Sequence, residues 1–345
     1  MGIRRNSFIQ INSFKMKYKD SKKLLKILKK SKKILINVHR SPDADSLGSA
    51  LSFYEYLTKI GKEVKVICPD KLTEDNLFLP FSEKVEEVNF ENLDFLKWDV
   101  FLVLDSSNWE IVTEKPDIKI PNMDILLIDH HVTSTSFGTI NVVDDVVSST
   151  SEIIYLLFKD WKVKLTKTIS QNLLAGIFCD TGVLQYPNVS PQTFEVVKNL
   201  IINGANKDEI VENLNRSYPF NQLKLWGEIL NRMEFDQENR FIYSAIPNEI
   251  YEKYNRPVTT KSTAASMFCP VVKDSDFGMI MIEQDKNVLS VSFRSKKNFN
   301  VERIAKELGG GGHVLAAAAT LKDIEFEKAV KKVVSVARQY AQKNI

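Results

Sequence analysis

The stretch Ile34-Leu-Ile-Asn-Val-His39-Arg-Ser-Pro-Asp43-Ala-Asp45-Ser-Leu-Gly48-Ser reads as a short apolar strand, a polar turn and the start of a helix. The helix carries Leu47, Ala50, Leu51, Tyr54 and Leu57 on one face and stops at Gly61. Glu63–Cys68, Asp99–Leu104 and Met123–Ile128 follow as largely apolar strands, a composition that suits burial on both faces. Ser149 and Glu152 have capping-box spacing at the start of another helix, and helical patterns continue through Thr168–Phe178, Pro191–Asn203 and Lys207–Leu214. Alternation of this kind predicts an α/β architecture, a doubly wound and mainly parallel sheet covered by helices. Past an irregular connector at Tyr218-Pro219 the texture changes. Hairpin-like strands at Phe241–Ile246, Met279–Glu283 and Val288–Arg294 precede a glycine run, an Ala-rich strand at Ala316–Leu321 and a helix near Glu325–Gln342. The expected organisation is a basic segment over residues 1–30, an α/β domain over 31–214, a linker over 215–224 and a smaller α+β domain over 225–345, with a cleft between the two domains.

Length agrees with two domains: 345 residues, 43% hydrophobic and 26% charged, can build sizeable cores and exclude general disorder. No apolar run approaches the length of a membrane span, and the basic N-terminus has no apolar segment behind it to form a secretory signal. Cys68, Cys179 and Cys269 are odd in number and widely spaced, which excludes a disulfide framework or a zinc cluster. A soluble, cytoplasmic protein is expected. The net charge of +3 hides an asymmetry, since residues 1–40 hold thirteen Lys/Arg against one acid, Asp20. Such a front end could meet nucleic acid or an anionic surface. The plainer reading is a helix docked through Leu24, Leu25, Ile27 and Leu28 with its lysines in water.

The four histidines mark the chemistry. His39 ends the first strand, His130 and His131 follow Asp129 at the end of Met123–Ile128, and His313 closes the glycine run. Asp105 and Asp180 sit where apolar segments stop. In a parallel sheet, residues past the strand C-termini share one crevice, so His39, Asp43, Asp45, Asp105, Asp129, His130 and Asp180 are aimed at one edge. So many carboxylates repel unless cations lie between them. A mixed carboxylate–imidazole set suits manganese, with magnesium, iron or cobalt as competitors, and a thiol-free donor set argues against structural zinc. Taken singly, an aspartate after a strand is more often a cap or turn residue, and a strand-end histidine is usually structural. Turn chemistry does not explain their coincidence in four segments.

These residues also resemble a known family. His39-Arg-Ser-Pro-Asp43-Ala-Asp45, Asp105-Ser-Ser-Asn, Asp129-His130-His131 and Asp180-Thr-Gly look like the four motifs, in order, of the DHH phosphoesterase superfamily. Arg294-Ser-Lys296 and Gly309-Gly310-Gly311-Gly312-His313 resemble its DHHA1 substrate domain. The resemblance covers roughly residues 30–330. It implies two divalent metals, one held by His39, Asp43 and Asp105 and the other by Asp45, Asp105, His130 and Asp180, with Asp105 bridging. It further implies that Asp129 orients a histidine, that His131 faces the scissile phosphate, and that a metal-bridging hydroxide attacks phosphorus. Arg294, Gly309, Gly310, Gly311, Gly312 and His313 would clamp the far end of a nucleotide, the glycines by close backbone approach and N–H donation.

Within the superfamily, the length leaves no room for the extra domains of RecJ-type exonucleases. Transmembrane and sensory segments of membrane-bound relatives are not seen, and family II pyrophosphatases lack the glycine–histidine element. The pattern is similar to the nanoRNase group. That implies hydrolysis of RNA of about two to five nucleotides to 5′-mononucleotides, with dephosphorylation of 3′-phosphoadenosine 5′-phosphate, so short RNA and adenine nucleotides are the implied partners. A phosphodiesterase for cyclic di-AMP or pApA would use the same metals. From other classes, a non-catalytic nucleotide sensor would have lost a ligand, and an RNA-binding module would depend on the basic N-terminus and on salt. A homodimer is compatible with the resemblance, and no apolar stripe marks its interface.

Overall fold

The computed structural model describes residues 18–73, 76–115, 117–215, 218–257, 260–296 and 299–342. The chain divides into two units, residues 1–217 and 218–345.

In the first unit the apolar runs form β1 (Lys33–Asn37), β2 (Glu63–Cys68), β3 (Val85–Glu87), β4 (Val100–Leu104), β5 (Asp124–Asp129) and β6 (Ile140–Val143). All neighbours pair in parallel, in the order β3-β2-β1-β4-β5-β6. Side chains alternate between two cores. Ile34, Ile36, Leu102, Leu104, Leu126 and Ile128 pack with the helices α1 (Ser21–Lys30), α2 (Ala44–Lys59), α4 (Thr150–Asp160), α5 (Lys167–Thr181) and α6 (Pro191–Ile202). Leu35, Ile67, Phe101, Val103, Ile125 and Leu127 pack against Phe90 and Trp109, the latter on α3 (Trp109–Thr113). Burial on both faces is the reason these strands show continuous apolar runs. The short strands β3 and β6 lack such runs and give no sequence signal. Leu24 and Leu28 of α1 are fully buried while its lysines are exposed, and Trp161 Nε1–H donates to Ser21 Oγ at 2.9 Å. The solvated-face reading therefore holds for α1. Residues 1–17 of the basic segment lie outside the described residues.

The second unit opens with α8 (Phe220–Asn231), which follows α7 (Lys207–Asn215) of the first. Residues 220–224 of the expected linker are therefore helical, started by Pro219 at the N-cap position. Its sheet runs β11-β12-β10-β9-β8-β7, with β7 (Glu234–Asp236), β8 (Phe241–Ile246), β9 (Phe277–Asp285), β10 (Val288–Ser295), β11 (Gly311–Gly312) and β12 (Ala316–Lys322). The sheet is mixed: β9 and β10 form the expected antiparallel hairpin, and β8 departs from that reading. β8 pairs with β9 in parallel, through a crossover carrying α9 (Asn248–Lys253) and α10 (Thr260–Phe268). One face packs on α11 (Val301–Glu307) and α12 (Phe326–Gln342); Ile242, Ile246, Ile280 and Ile282 on the other pack with α8 and α10. No helix among the described residues is long and apolar enough to cross a membrane.

One glycine governs how closely α2 meets α5. A Cβ at Gly48 would lie 2.3 Å from the Asn172 carbonyl oxygen, so the helices touch backbone to backbone. Replacing Gly48 with alanine is expected to lower stability by about 1–3 kcal/mol through overpacking, measured by urea unfolding of the metal-free chain. An unchanged midpoint would contradict this packing.

Candidate metal centre

The order of the first sheet reverses between β1 and β4, and a doubly wound sheet opens its crevice at such a switch point. His39 and Asp105 follow the two strands that flank it. A buried amide cross-links these strand ends: Asn37 accepts from Leu104 N–H at 2.7 Å and donates to Ser106 Oγ at 3.2 Å. Asp105 itself adopts φ 53°, a left-handed conformation unusual for a non-glycine residue, while its N–H still bonds Ile128 O at 2.9 Å. Strain of this kind collects at functional sites.

The turn after β1 fixes the next donors. Asp43, not Asp45, caps α2, its Oδ1 accepting from Asp45 N–H at 3.0 Å and Ser46 N–H at 2.9 Å. Ser46 Oγ accepts from His39 N–H at 3.0 Å. His39 Nδ1 lies 2.7 Å from Arg40 O. A carbonyl can only accept, so Nδ1 carries the proton and Nε2 presents its lone pair. That Nε2 is 3.4 Å from Asp105 Oδ2 and 3.7 Å from Asp43 Oδ1. A lone pair facing two carboxylates calls for a proton or a cation between them.

A second group adjoins the first. His130 Nε2 lies 3.0 Å from Asp180 Oδ2 and 3.6 Å from Asp105 Oδ1. Asp180 belongs to the last turn of α5, so the helix end, not a strand end, delivers it. Asp45 is held by the N-terminus of α4, its oxygens accepting from Thr150 N–H at 2.7 Å and Ser151 N–H at 2.9 Å. Thr150 Oγ1–H donates to Asp105 Oδ1 at 3.0 Å. Glycine is required at 176, where a Cβ would stand 2.5 Å from Asp45 Oδ1 and 2.1 Å from Ser151 Oγ. Glu152 does not close the expected capping box; Ser149 Oγ accepts from Glu152 N–H at 3.1 Å, but the Glu152 carboxylate takes bonds from Ser148, Gln192 and Thr193. Asp129 accepts from the His131 ring at 2.7 Å, leaving His131 Nε2 for other partners.

Four overlapping groups result in which every donor atom is within 4.8 Å of the others: His39, Asp43 and Asp105; Asp45, His130 and Asp180; Asp105, His130 and His131; and Asp43, Cys179 and Asp180. Asp45, Asp105 and Asp129 are almost fully buried, and the positive groups acting on the cluster are histidines. Burial, then Asp105 and Asp180, pushes Asp45 well above the usual carboxylate range. Burial also pushes Asp180 up, to about 6, against the pull of His130. Burial opposes the charge on His130, yet Asp180, Asp105 and Asp45 carry it up to about 10. For Asp43, His39 overcomes burial and holds the carboxyl at about 2. A shortage of positive charge in a buried carboxylate–imidazole set fits divalent cations. Cys179 corrects the thiol-free expectation. It stands beside Asp43 and Asp180, and burial and those two acids push its pKa well up.

Arg294 and the glycine run belong to the second unit. Arg294 Nε–H donates to Ser266 Oγ and its Nη1 to Phe293 O, both at 2.9 Å. The glycines serve the fold more than expected. Gly309 N–H bonds Lys306 O at 3.0 Å, Gly310 N–H bonds Ala305 O at 2.8 Å and His313 N–H bonds Ala316 O at 2.7 Å, so these amides are not offered to a ligand. Gly310 and Gly312 are small because β12 passes against them; a Cβ on Gly310 would lie 2.1 Å from Ala318 O. Gly311 has open space where its Cβ would be, and His313 is exposed. Asn37, Thr150 and Gly176 escape the sequence reading, because each acts through a contact distant in the chain, and Ser46 escapes it because it acts on the His39 backbone within the turn.

Residues 33–177 match the DHH family, N-terminal domain, and residues 241–343 match the DHHA1 domain. The chain is 28% identical over 306 residues to the bifunctional oligoribonuclease and PAP phosphatase NrnA of Thermus thermophilus, covering 89% of each protein. It is 25% identical over 336 residues to the cyclic-di-AMP phosphodiesterase GdpP of Geobacillus thermodenitrificans, covering 92% of this chain and 49% of that protein. The crystal structure of an exopolyphosphatase-related protein from Bacteroides fragilis has the same fold, with a TM-score of 0.86 at 24% identity over 93% of this chain and 96% of that one.

Because protons and cations compete for His39 and His130, both raised by their carboxylates, Mn²⁺ affinity is expected to climb from pH 6 to pH 8 with release of protons. Calorimetry in buffers of different ionisation enthalpy checks this. A pH-independent affinity without proton release would contradict the assignment of imidazole donors.

Proposed function

We propose, given that the chain belongs to the DHH/DHHA1 family and is a metal-dependent phosphoesterase, that it hydrolyses short RNA to 5′-mononucleotides and removes the 3′-phosphate of 3′-phosphoadenosine 5′-phosphate. The observation that carries this reading is the pair of adjacent donor groups, His39/Asp43/Asp105 and Asp45/His130/Asp180, sharing the neighbourhood of Asp105. When bound, two divalent ions would clamp a phosphate and supply an activated water; manganese suits the donors best, with magnesium and cobalt next. Asp43, Asp45 and Asp105 hold their oxygens ready through N–H and O–H donors, so little reorganisation is needed. Asp129 fixes the His131 ring with the proton on Nδ1, and Nε2 is left to face the phosphate. Against the pull of burial, Asp129 and Asp105 raise the His131 pKa, which suits a group that delivers a proton to the leaving oxygen or stabilises its charge. Arg294 and the Gly309–His313 segment would hold the remainder of the nucleotide.

The likeness to NrnA along nearly the whole of both chains supports this substrate class over others. Likeness to GdpP, about half of which the match covers, favours a second reading, a phosphodiesterase for cyclic di-AMP or its linear product pApA. The experiment is a product analysis with Mn²⁺ or EDTA on a five-nucleotide RNA, a 24-nucleotide RNA, 3′-phosphoadenosine 5′-phosphate, pApA and cyclic di-AMP. Metal-dependent turnover of the short RNA and of 3′-phosphoadenosine 5′-phosphate, with the long RNA slow, is the expected result. Turnover of cyclic di-AMP or pApA alone would replace it with the second reading, and no turnover at all would favour a nucleotide sensor. His131→Asn is expected to lower kcat about 10²–10⁴-fold with metal content intact; loss of metal instead would make His131 a ligand.

A further inference from the structure

Two glycines set how α2 lies against α5, and that register brings a sulfur to the edge of the metal centre. A Cβ at Gly48 would meet the Asn172 carbonyl oxygen at 2.3 Å, and a Cβ at Gly176 would meet Asp45 Oδ1 at 2.5 Å. Residues three or four apart share a helix face, so moving back along α2 means moving forward along α5. Continued in that direction, the antiparallel register sets Asp43, at the N-cap of α2, against Cys179 and Asp180 in the last turn of α5. The Cys179 sulfur, an Asp43 oxygen and an Asp180 oxygen all lie within 4.8 Å of one another. Cys179 is half-buried, whereas Cys68 and Cys269 are fully buried and join no such group among the described residues.

Two carboxylates and a sulfur make a donor set unlike either oxygen–imidazole group. A thiolate is soft and selects zinc and other thiophilic cations, while manganese and magnesium prefer oxygen. Three protein donors with one position left open is an arrangement that zinc adopts readily. We propose that Asp43, Cys179 and Asp180 form a third cation site, one that takes a thiophilic divalent ion and, when filled, displaces the Mn²⁺ pair. Asp43 also belongs with His39 and Asp105, and Asp180 with Asp45 and His130, so an ion held on the sulfur takes one carboxylate from each group. As the Sγ–metal bond forms, the thiol proton passes to the buffer, and the dication offsets the new thiolate beside the two acids. The proposal rests on the carboxylate–imidazole centre binding divalent metal and is independent of which nucleotide is the substrate.

Cobalt(II) is the probe, because its absorption reports its ligands. Added to the metal-free full chain, Co²⁺ should give d–d bands in the visible together with a sulfur-to-cobalt charge-transfer band in the near ultraviolet. Cys179→Ser should keep the first and lose the second. In the unsubstituted chain, d–d bands without charge transfer overturn the third site and leave the oxygen–imidazole centre standing, whether or not the variant folds. Absence of any Co²⁺ binding overturns both. A charge-transfer band that survives in Cys179→Ser places the sulfur elsewhere and overturns the site as well. Displacement is read by the electron paramagnetic resonance of free Mn²⁺. Zn²⁺ should release Mn²⁺ from the loaded chain at severalfold lower concentration than from loaded Cys179→Ser. Equal release from the two proteins overturns the displacement.

Discussion

Three nearly buried carboxylates, Asp45, Asp105 and Asp129, converge at the switch point of the first sheet with imidazoles as their positive neighbours. Each buried charge costs several kcal/mol of desolvation, and hydrogen bonds recover part of it. Much of the surrounding architecture answers that cost. The N-terminus of α4 is pointed at Asp45, the hydroxyl of Thr150 at Asp105, and the ring of His131 at Asp129. Gly176 and Gly48 let α5 come close enough to deliver Asp180. What the protein's own groups leave uncompensated is carboxylate charge around His39 and His130, which divalent cations would balance.

The same logic separates residues that hold chemistry from residues that hold the holders. Asn37 stitches the ends of β1 and β4, so the strained turn at Asp105 is supported from below. Ser46 ties the His39 backbone to the start of α2. Loss of either should loosen the donor set without removing a donor. Cys179 lies within reach of the cluster, where burial and then two carboxylates push its thiol pKa up.

The parallel α/β sheet and the positions of His39, Asp105 and Asp129-His130-His131 were legible because a strand buried on both faces writes a continuous apolar run, and its end is where polar residues begin. Asp180 was legible as well, although it reaches the cluster from the end of the helical pattern at Thr168–Phe178 and not from a strand end. The parallel pairing of β8 with β9 was hidden because each strand looks the same in a hairpin or a crossover. The glycine run carried a plausible ligand-binding meaning, yet Gly310 and Gly312 answer first to the approach of β12. Thr150 and Gly176 left no signal, because each matters through a partner far along the chain.

The central claim is that two cations occupy the crevice and that Asp105 stands between them. Crystals of the full chain soaked in Mn²⁺ and measured at the manganese absorption edge test it most directly. The expected map has two anomalous peaks about 3.5–4 Å apart, one beside His39 and Asp43, the other beside Asp45, His130 and Asp180, with Asp105 touching both. A single peak, or peaks away from Asp105, would contradict the account.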